Sequence, residues 1–162
     1  MSNKPVFVIR KASESDFTEI FAMISELAEF EKATHKLTNS VAQMLEEKHY
    51  FECIVAETVT GEIAGMALYY FAYYTWVGKS LYLDDLYVKP QFRGLGLGTQ
   101  LITDVVAIAQ KEHCKRMRWQ VLEWNQSAIN LYRKLGANID AEWLNCDLSA
   151  NEINKFAVST EK

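Results

Sequence analysis

The chain has 162 residues, of which 49% are apolar and 23% are charged, with a formal net charge of −4. This length and apolar content predict one domain over residues 1–162 with a substantial core. No apolar run reaches membrane-spanning length, and the mild negative charge argues against nucleic acid as a partner. The three cysteines show no spacing typical of a metal site. We therefore expect a cytoplasmic protein with reduced thiols, no metal and no membrane partner.

The spacing of apolar residues predicts the elements of the first half of the chain. A short strand at residues 6–10 precedes a helix at 17–30, whose apolar positions recur every three or four residues, and a short helix at 40–47. Two antiparallel strands follow at 50–58 and 62–71, with a turn at Thr60 and Gly61 between them. Residues 71–78 are predicted to form an aromatic connection to a central strand.

The second half alternates strands and helices. The central strand at 81–88 precedes a helix at 101–112, and a parallel strand at 117–122 follows because a helix joins the two. Asn125 is suited to cap a helix at 127–135 that stops at Gly136. Residues 138–147 are predicted to hold one or two strands, and Ser149 and Glu152 form a capping box for a last helix ending near residue 157. This order predicts an α/β fold, a mixed sheet with helices on both faces.

Three glycines at alternate positions occupy the turn between the central strand and the following helix. Gly94, Gly96 and Gly98 allow positive φ and close approach of a ligand, and the helix directs unpaired N–H groups and its positive dipole end forward. A pyrophosphate suits that arrangement, and Arg93 adds a cation. The pattern Arg-x-x-Gly-x-Gly is not that of a P-loop, and it resembles the acyl-CoA loop of the GCN5-related N-acetyltransferase (GNAT) superfamily. A glycine-rich turn without a ligand is the alternative.

Further segments, spread over most of the chain, extend this resemblance. Residues 26–32, 69–79, 81–88 and 93–98, followed by 123–137, are similar in order and content to spermidine/spermine (diamine) N-acetyltransferases and their thialysine-acetylating relatives. The resemblance implies the GNAT fold, a homodimer, and acetyl-CoA as co-substrate. It also implies acetyl transfer to a primary amine of a small polyamine or of a thialysine- or lysine-like amino acid.

The resemblance assigns roles to matched positions. Tyr132 would be the general acid, and Asp84 stands where the family has a glutamate that acts as base through water. The cofactor would be held by Leu86, Tyr87, Val88, Arg93, Gly94, Leu95, Gly96, Leu97, Gly98, Thr99 and Asn125. The amine substrate would be held by Phe30, Glu31, Asp84, Asp85 and Glu142.

Structural roles remain open for several of these side chains. Asp84 could be a carboxylate hydrogen-bonded within the sheet, and a regular strand would turn Asp85 to the opposite face as a structural acid. Tyr132 could pack as an ordinary helix aromatic, and Asn125 could serve only as a cap. Two other functions also remain open: acetylation of a protein lysine or N-terminus, and a non-catalytic acyl-CoA sensor. The aromatic residues at 69–76 are expected in the core and a dimer interface.

Overall fold

The computed structural model describes residues 6–159. Its strands are β1 (Phe7–Lys11), β2 (Glu52–Thr58), β3 (Ile63–Tyr74), β4 (Gly78–Val88) and β5 (Arg116–Arg118). Its α-helices are α1 (Phe17–Phe30), α2 (Val41–Glu46), α3 (Leu97–Lys111), α4 (Gln126–Lys134) and α5 (Ala150–Ser159). Within this range, none of the helices combines the length and apolar character needed to cross a membrane.

The five strands form one mixed sheet in the order β1-β2-β3-β4-β5. The first four pair antiparallel in succession, and β5 pairs parallel to β4 after the crossover through α3. The predicted mixed sheet, with its single β-α-β crossover in the middle of the chain, is therefore confirmed.

The side chains of β2 and β3 alternate between two packed layers. Val55 and Met66 belong to a buried cluster with Ile20 and Met23 of α1 and with Met44 of α2. The neighbouring position on β3, Gly65, faces α3 instead, where a Cβ would lie 3.3 Å from Leu101 Cδ1. Alternation along a strand thus buries one face under α1 and α2 and the other under α3.

Three predictions about the secondary-structure elements were wrong. The aromatic connection at 71–78 is mostly strand, because β3 and β4 continue as a long hairpin whose register runs from Gly65–Val88 to Tyr74–Gly78. The strand predicted at 117–122 is the three-residue β5. The segment 138–147 contains no strand, since a strand needs a hydrogen-bonded partner and residues 125–159 include no other strand.

The described residues form two compact units, which divide between Trp124 and Asn125. The first contains the sheet with α1 to α3. In the second, Asn125 Oδ1 caps α4 by accepting from the Ala128 N–H at 3.2 Å, and Ser149 and Glu152 form the predicted capping box at α5. The expectation of one domain over residues 1–162 stays a prediction.

Gly65 marks a point of close backbone approach in the sheet. A Cβ there would lie 2.7 Å from the Tyr87 carbonyl oxygen and 3.3 Å from Val88 Cα, so a strand backbone has to move to accept it. We expect Gly65→Ala to lower the free energy of unfolding by about 1–3 kcal/mol, the usual cost of overpacking. Urea denaturation followed by circular dichroism measures it.

Gly98 supplies the matched control. A Cβ at Gly98 lies 3.8 Å from Val88 Cγ2, an ordinary contact, and the residue lies in α3, where alanine is favoured over glycine. Gly98→Ala should therefore leave the stability unchanged or raise it slightly. Equal stability of the two variants would contradict the packing argument.

Candidate active site

The turn before α3 presents main-chain N–H groups without helical partners. Gly94 and Gly96 have φ of +76° and +85°, and Gly96 is the N-cap of α3 with no side chain capping it. The Gln100 N–H donates to the Gly96 carbonyl at 3.0 Å, so the N–H groups of residues 97–99 precede the first helical hydrogen bond. The predicted glycine loop thus has the geometry of an anion-binding helix start.

One edge of β4 is open beside this turn. The strand pairs with β3 along most of its length, but with β5 only from Ser80 to Tyr82. The Lys89 N–H donates to the Ala64 carbonyl of the β3 side at 2.9 Å, and alternation then directs the main-chain groups of Leu86 and Val88 away from β3. A ligand along this edge can therefore pair with the main chain of Leu86 and Val88, two of the residues predicted to hold the cofactor.

Arg93 joins the loop to this open edge. Its Nε donates to the Val88 carbonyl at 2.8 Å, and its guanidinium lies 5.3 Å from the Tyr87 ring centroid and 6.0 Å from that of Phe30. The Phe30 ring in turn packs on Trp124 at 5.4 Å. Arg93 and Phe30, predicted for cofactor and substrate respectively, thus share one cluster.

Tyr87 contributes to this cluster from the buried side of β4. Its hydroxyl donates to Glu26 Oε2 at 2.8 Å, which ties β4 to α1. The Tyr87 side chain therefore faces α1, and the main-chain groups of its neighbours face the open edge. A role of Tyr87 toward a cofactor stays a prediction.

A β-bulge in β4 brings the two aspartates together. Leu68 of β3 pairs with Asp85, and the next residue, Tyr69, pairs with Leu83, so Asp84 is an extra residue in β4. Leu83 is buried, while Asp84 and Asp85 both line one pocket. The strand is therefore not regular at this point, and Asp85 does not lie on the opposite face from Asp84, where a regular strand would place it.

The pocket that the aspartates share has a volume of about 300 Å³. Its lining residues are Ile24, Asn39, Met44, Tyr50, Phe51, Leu68, Tyr70, Asp84 and Asp85. The walls are apolar and aromatic, and the set includes no lysine, arginine or histidine. The Tyr70 ring also stacks on Tyr82, with centroids 5.1 Å apart. An alkyl chain that carries an ammonium group matches these walls and charges.

The carboxyl groups of this region have raised pKa values. Burial, and then the charges of Asp84 and Glu31, raise the pKa of Asp85 to about 7. Burial also raises the pKa of Asp84, although that side chain stays accessible to solvent, and that of Glu31. In the described part of the chain, neither aspartate side chain accepts a hydrogen bond or pairs with a cation. Partly buried carboxylates in this state attract a cation or hold a proton.

The remaining predicted residues lie in the second unit. Asn125 is the N-cap of α4, and Tyr132 is buried on the same helix. Glu142 is exposed and its N–H donates to Asp140 Oδ1 at 2.9 Å. The structure thus confirms the cap at Asn125, while the cofactor, acid and substrate roles of the three residues stay predictions.

Sequence reasoning missed most of the pocket wall. Ile24, Met44, Tyr50 and Asn39 come from α1, α2 and the segments beside α2, which the sequence marked only as core, loop or strand start. The apolar positions of α1 and α2 indicated burial but not which of them would border a pocket. Pockets of this kind arise from tertiary packing, which no local pattern records.

Comparisons with known proteins identify the family of the chain. The family model described as acetyltransferase (GNAT) family matches residues 14–137. Thialysine N-epsilon-acetyltransferase of Mus musculus is 42% identical over 163 residues, which covers 92% of this chain and 96% of that protein. Spermidine/spermine N(1)-acetyltransferase-like protein 1 of Homo sapiens is 36% identical over 141 residues, which covers 81% of this chain and 20% of that protein.

Solved structures agree in fold. A possible acetyltransferase from Clostridium difficile 630 superposes with a TM-score of 0.74 at 21% identity, covering 89% of this chain and 99% of that one. The resemblance drawn from the glycine loop and the central strand is thereby confirmed. The chain belongs to the GNAT family and is an N-acetyltransferase.

Proposed function

We propose that the chain binds acetyl-CoA at the loop of residues 93–99 and along the open edge of β4, and transfers its acetyl group to a small amine. The acceptor is the primary amine of a polyamine or of a thialysine- or lysine-like amino acid. The observation that carries this proposal is the pair Asp84 and Asp85, two carboxylates without a cationic partner in an apolar pocket. The relatives named for thialysine and for spermidine/spermine support the same substrate class.

The residues present fit acetyl-CoA. Gly94 and Gly96 carry no side chain, and a Cβ at either position would meet nothing within 4 Å, so the loop leaves room for a diphosphate against the start of α3. Leu86 and Val88 direct main-chain groups to the open edge, where an extended amide-containing arm can add like a strand. Arg93, beside both, supplies a positive charge. Leu95, Leu97 and Thr99 complete the loop, and Asn125 is proposed to reach the cofactor from the start of α4.

The chemistry of acyl transfer sets three tasks for the protein. Acetyl-CoA supplies a thioester, and the acceptor has to be a neutral amine to attack it, although an alkyl ammonium has a pKa of about 10.4. A carboxylate of the pocket has to take that proton, directly or through water, and the family resemblance nominates Asp84 for this role. A main-chain N–H on the open edge of β4 is suited to stabilise the carbonyl oxygen. Tyr132 is proposed to donate a proton to the leaving sulfur.

The acceptor is proposed to bind through its positive charge. Glu31 at the end of α1 adds a third carboxylate near Asp85, and Glu142 is proposed to contribute another. A polyamine needs only such carboxylates, whereas an amino acid also needs donors for its own carboxylate. In the pocket, the groups suited to donate hydrogen bonds to that carboxylate are the Asn39 amide and the hydroxyls of Tyr50 and Tyr70.

We also propose that the protein acts as a homodimer in the cytoplasm, as the family resemblance implies. Tyr73 and Trp76, at the tip of the β3–β4 hairpin, are 78% and 86% exposed, and large aromatic residues of this kind are common at interfaces. Analytical ultracentrifugation tests the dimer.

Turnover assays with a panel of amines test the proposed function. The purified chain is incubated with acetyl-CoA and putrescine, spermidine, spermine, lysine or thialysine, while free thiol is followed and products are identified by mass spectrometry. Butylamine is the matched control for putrescine, because it lacks the second ammonium group. A lysine-containing peptide is assayed alongside, and turnover of this peptide alone would favour the protein acetyltransferase. Coenzyme A binding without turnover of any amine would favour the sensor.

The positive φ of Gly96 predicts a specific loss of cofactor affinity. An L-residue in the left-handed region costs about 1–2 kcal/mol, and we expect the free loop of Gly96→Ala to relax out of this conformation. Coenzyme A then has to restore it, so its binding should weaken by roughly 5- to 30-fold. Isothermal titration calorimetry measures the affinity. Gly61→Ala is the control, because Gly61 has nearly the same φ, +86°, in the β2–β3 turn. Equal losses in both variants would show that strain alone, and not the loop, is responsible.

The proposed acid role predicts a rate effect at Tyr132. Tyr132→Phe removes the hydroxyl and keeps the ring, so kcat should fall by about 10- to 10³-fold while coenzyme A still binds. Tyr73→Phe is the control, since it removes a hydroxyl from the exposed hairpin. A kcat unchanged in Tyr132→Phe would remove the acid role and leave Tyr132 as a packing residue.

A further inference from the structure

The bulge gives the two aspartates different surroundings within the same pocket. Asp84 is the exposed member, whereas Asp85 is partly buried and pairs with Leu68 in the middle of the sheet. The residue that family resemblance nominates as the base is therefore the more solvated of the two. A carboxylate that is shielded from water binds a proton more readily than one that stays hydrated.

The groups around Asp85 are neutral or negative. No described basic side chain lines its pocket, and the titratable groups facing it are Asp84 on the same strand, Glu31 at the end of α1, the buried Cys53 thiol on β2, and the hydroxyls of Tyr50 and Tyr70. Two like charges act on Asp85, and no hydrogen bond offsets them in residues 6–159. Without a bound ligand, the negative charge of Asp85 is therefore the least stable in the cluster.

We propose that Asp85 is the residue that accepts the proton from the acceptor ammonium, and that Asp84 acts as the fixed counter-charge that holds the ammonium at the pocket mouth. This inference rests on the proposed function. It changes the role of Asp85 from substrate binding alone to a catalytic residue. It also explains how the site works with an aspartate where the family has a glutamate, because the proton acceptor is the next residue along the bulged strand.

The proton balance of the reaction needs one acceptor and one donor. The ammonium loses two protons as the C–N bond forms and the C–S bond breaks. One proton goes to the Asp85 carboxylate and from there to solvent. Tyr132 protonates the sulfur, which leaves as a thiol, and the second proton lost by the nitrogen restores the Tyr132 hydroxyl. The net reaction releases one proton, and no oxidant or metal is required.

A carboxyl titration tests the proton-holding property without cofactor or substrate. The protein is labelled with ¹³C at the aspartate carboxyl groups, and the chemical shifts are followed from pH 3 to 9 by NMR. One carboxyl should titrate near pH 7, and its signal should disappear in Asp85→Asn. In Asp84→Asn it should remain but titrate at lower pH, because a neighbouring negative charge has been removed. Asp104→Asn, which neutralises a carboxylate on α3, should leave it unchanged.

Two results of this titration would overturn the inference. One is that all aspartates titrate near the ordinary value of about 3.9. The other is that the carboxyl titrating near neutrality persists in Asp85→Asn. Circular dichroism shows whether Asp85→Asn folds. If it does not fold, the titrations of the wild type and of Asp84→Asn still show whether any aspartate titrates near neutrality.

The pH profile of kcat/KM gives the second measurement. Asp85 has to be ionised in the free enzyme, so the profile should rise through about pH 7 in the wild type and at lower pH in Asp84→Asn. In Asp85→Asn this limb should be absent and kcat/KM at pH 7.5 lower by about 10²- to 10⁴-fold. An unchanged limb and rate in Asp85→Asn would overturn the inference and leave the proposed function standing. A wild type that acetylates no amine would overturn both.

Discussion

One extra residue in β4 determines the arrangement of the candidate active site. The bulge at Asp84 interrupts the alternation of the strand, so that two consecutive carboxylates face one pocket while Leu83 stays buried on the other side. Further along the same strand, pairing with β5 ends at Tyr82, and Leu86 and Val88 direct main-chain groups to an open edge. A single irregular strand thus borders the pocket with carboxylates and presents backbone groups along its open edge.

The two carboxylates of this strand are unfavourable in the empty pocket, but they suit a reaction that has to remove a proton from an ammonium group. Keeping an alkyl amine neutral near pH 7.4 costs about 4 kcal/mol, from about 1.36 kcal/mol per pKa unit. Partly buried carboxylates without partners are themselves destabilised, and an ammonium relieves this when it binds between them. Once the ammonium is in place, transfer of its proton to a carboxylate with a raised pKa costs less than transfer to one of ordinary pKa. Binding and proton removal therefore rely on the same pair of carboxylates.

The sequence predicted the parts of this fold that local patterns control. The β4–loop–α3 unit follows from an apolar run, alternate glycines and a helical stripe, and Asn125 was recognisable as a cap from its position before α4. The strand predicted at 138–147 failed because strand formation depends on a partner, which the local sequence does not contain. The face of Asp85 could be predicted only for a regular strand, for a related reason: a bulge is a property of pairing between β3 and β4, and each strand alone looks regular.

The bulge also bears on the aspartate at position 84, where the resemblance leads one to expect glutamate. An aspartate is one methylene shorter, so its carboxylate lies about 1.5 Å further from the reacting amine than a glutamate carboxylate in the same backbone position. In a regular strand the next residue would point away and offer no substitute. Because the bulge turns Asp85 into the same pocket, the strand presents two short carboxylates there, one solvated and one partly buried. The solvated group is suited to attract the ammonium and the shielded group to take its proton.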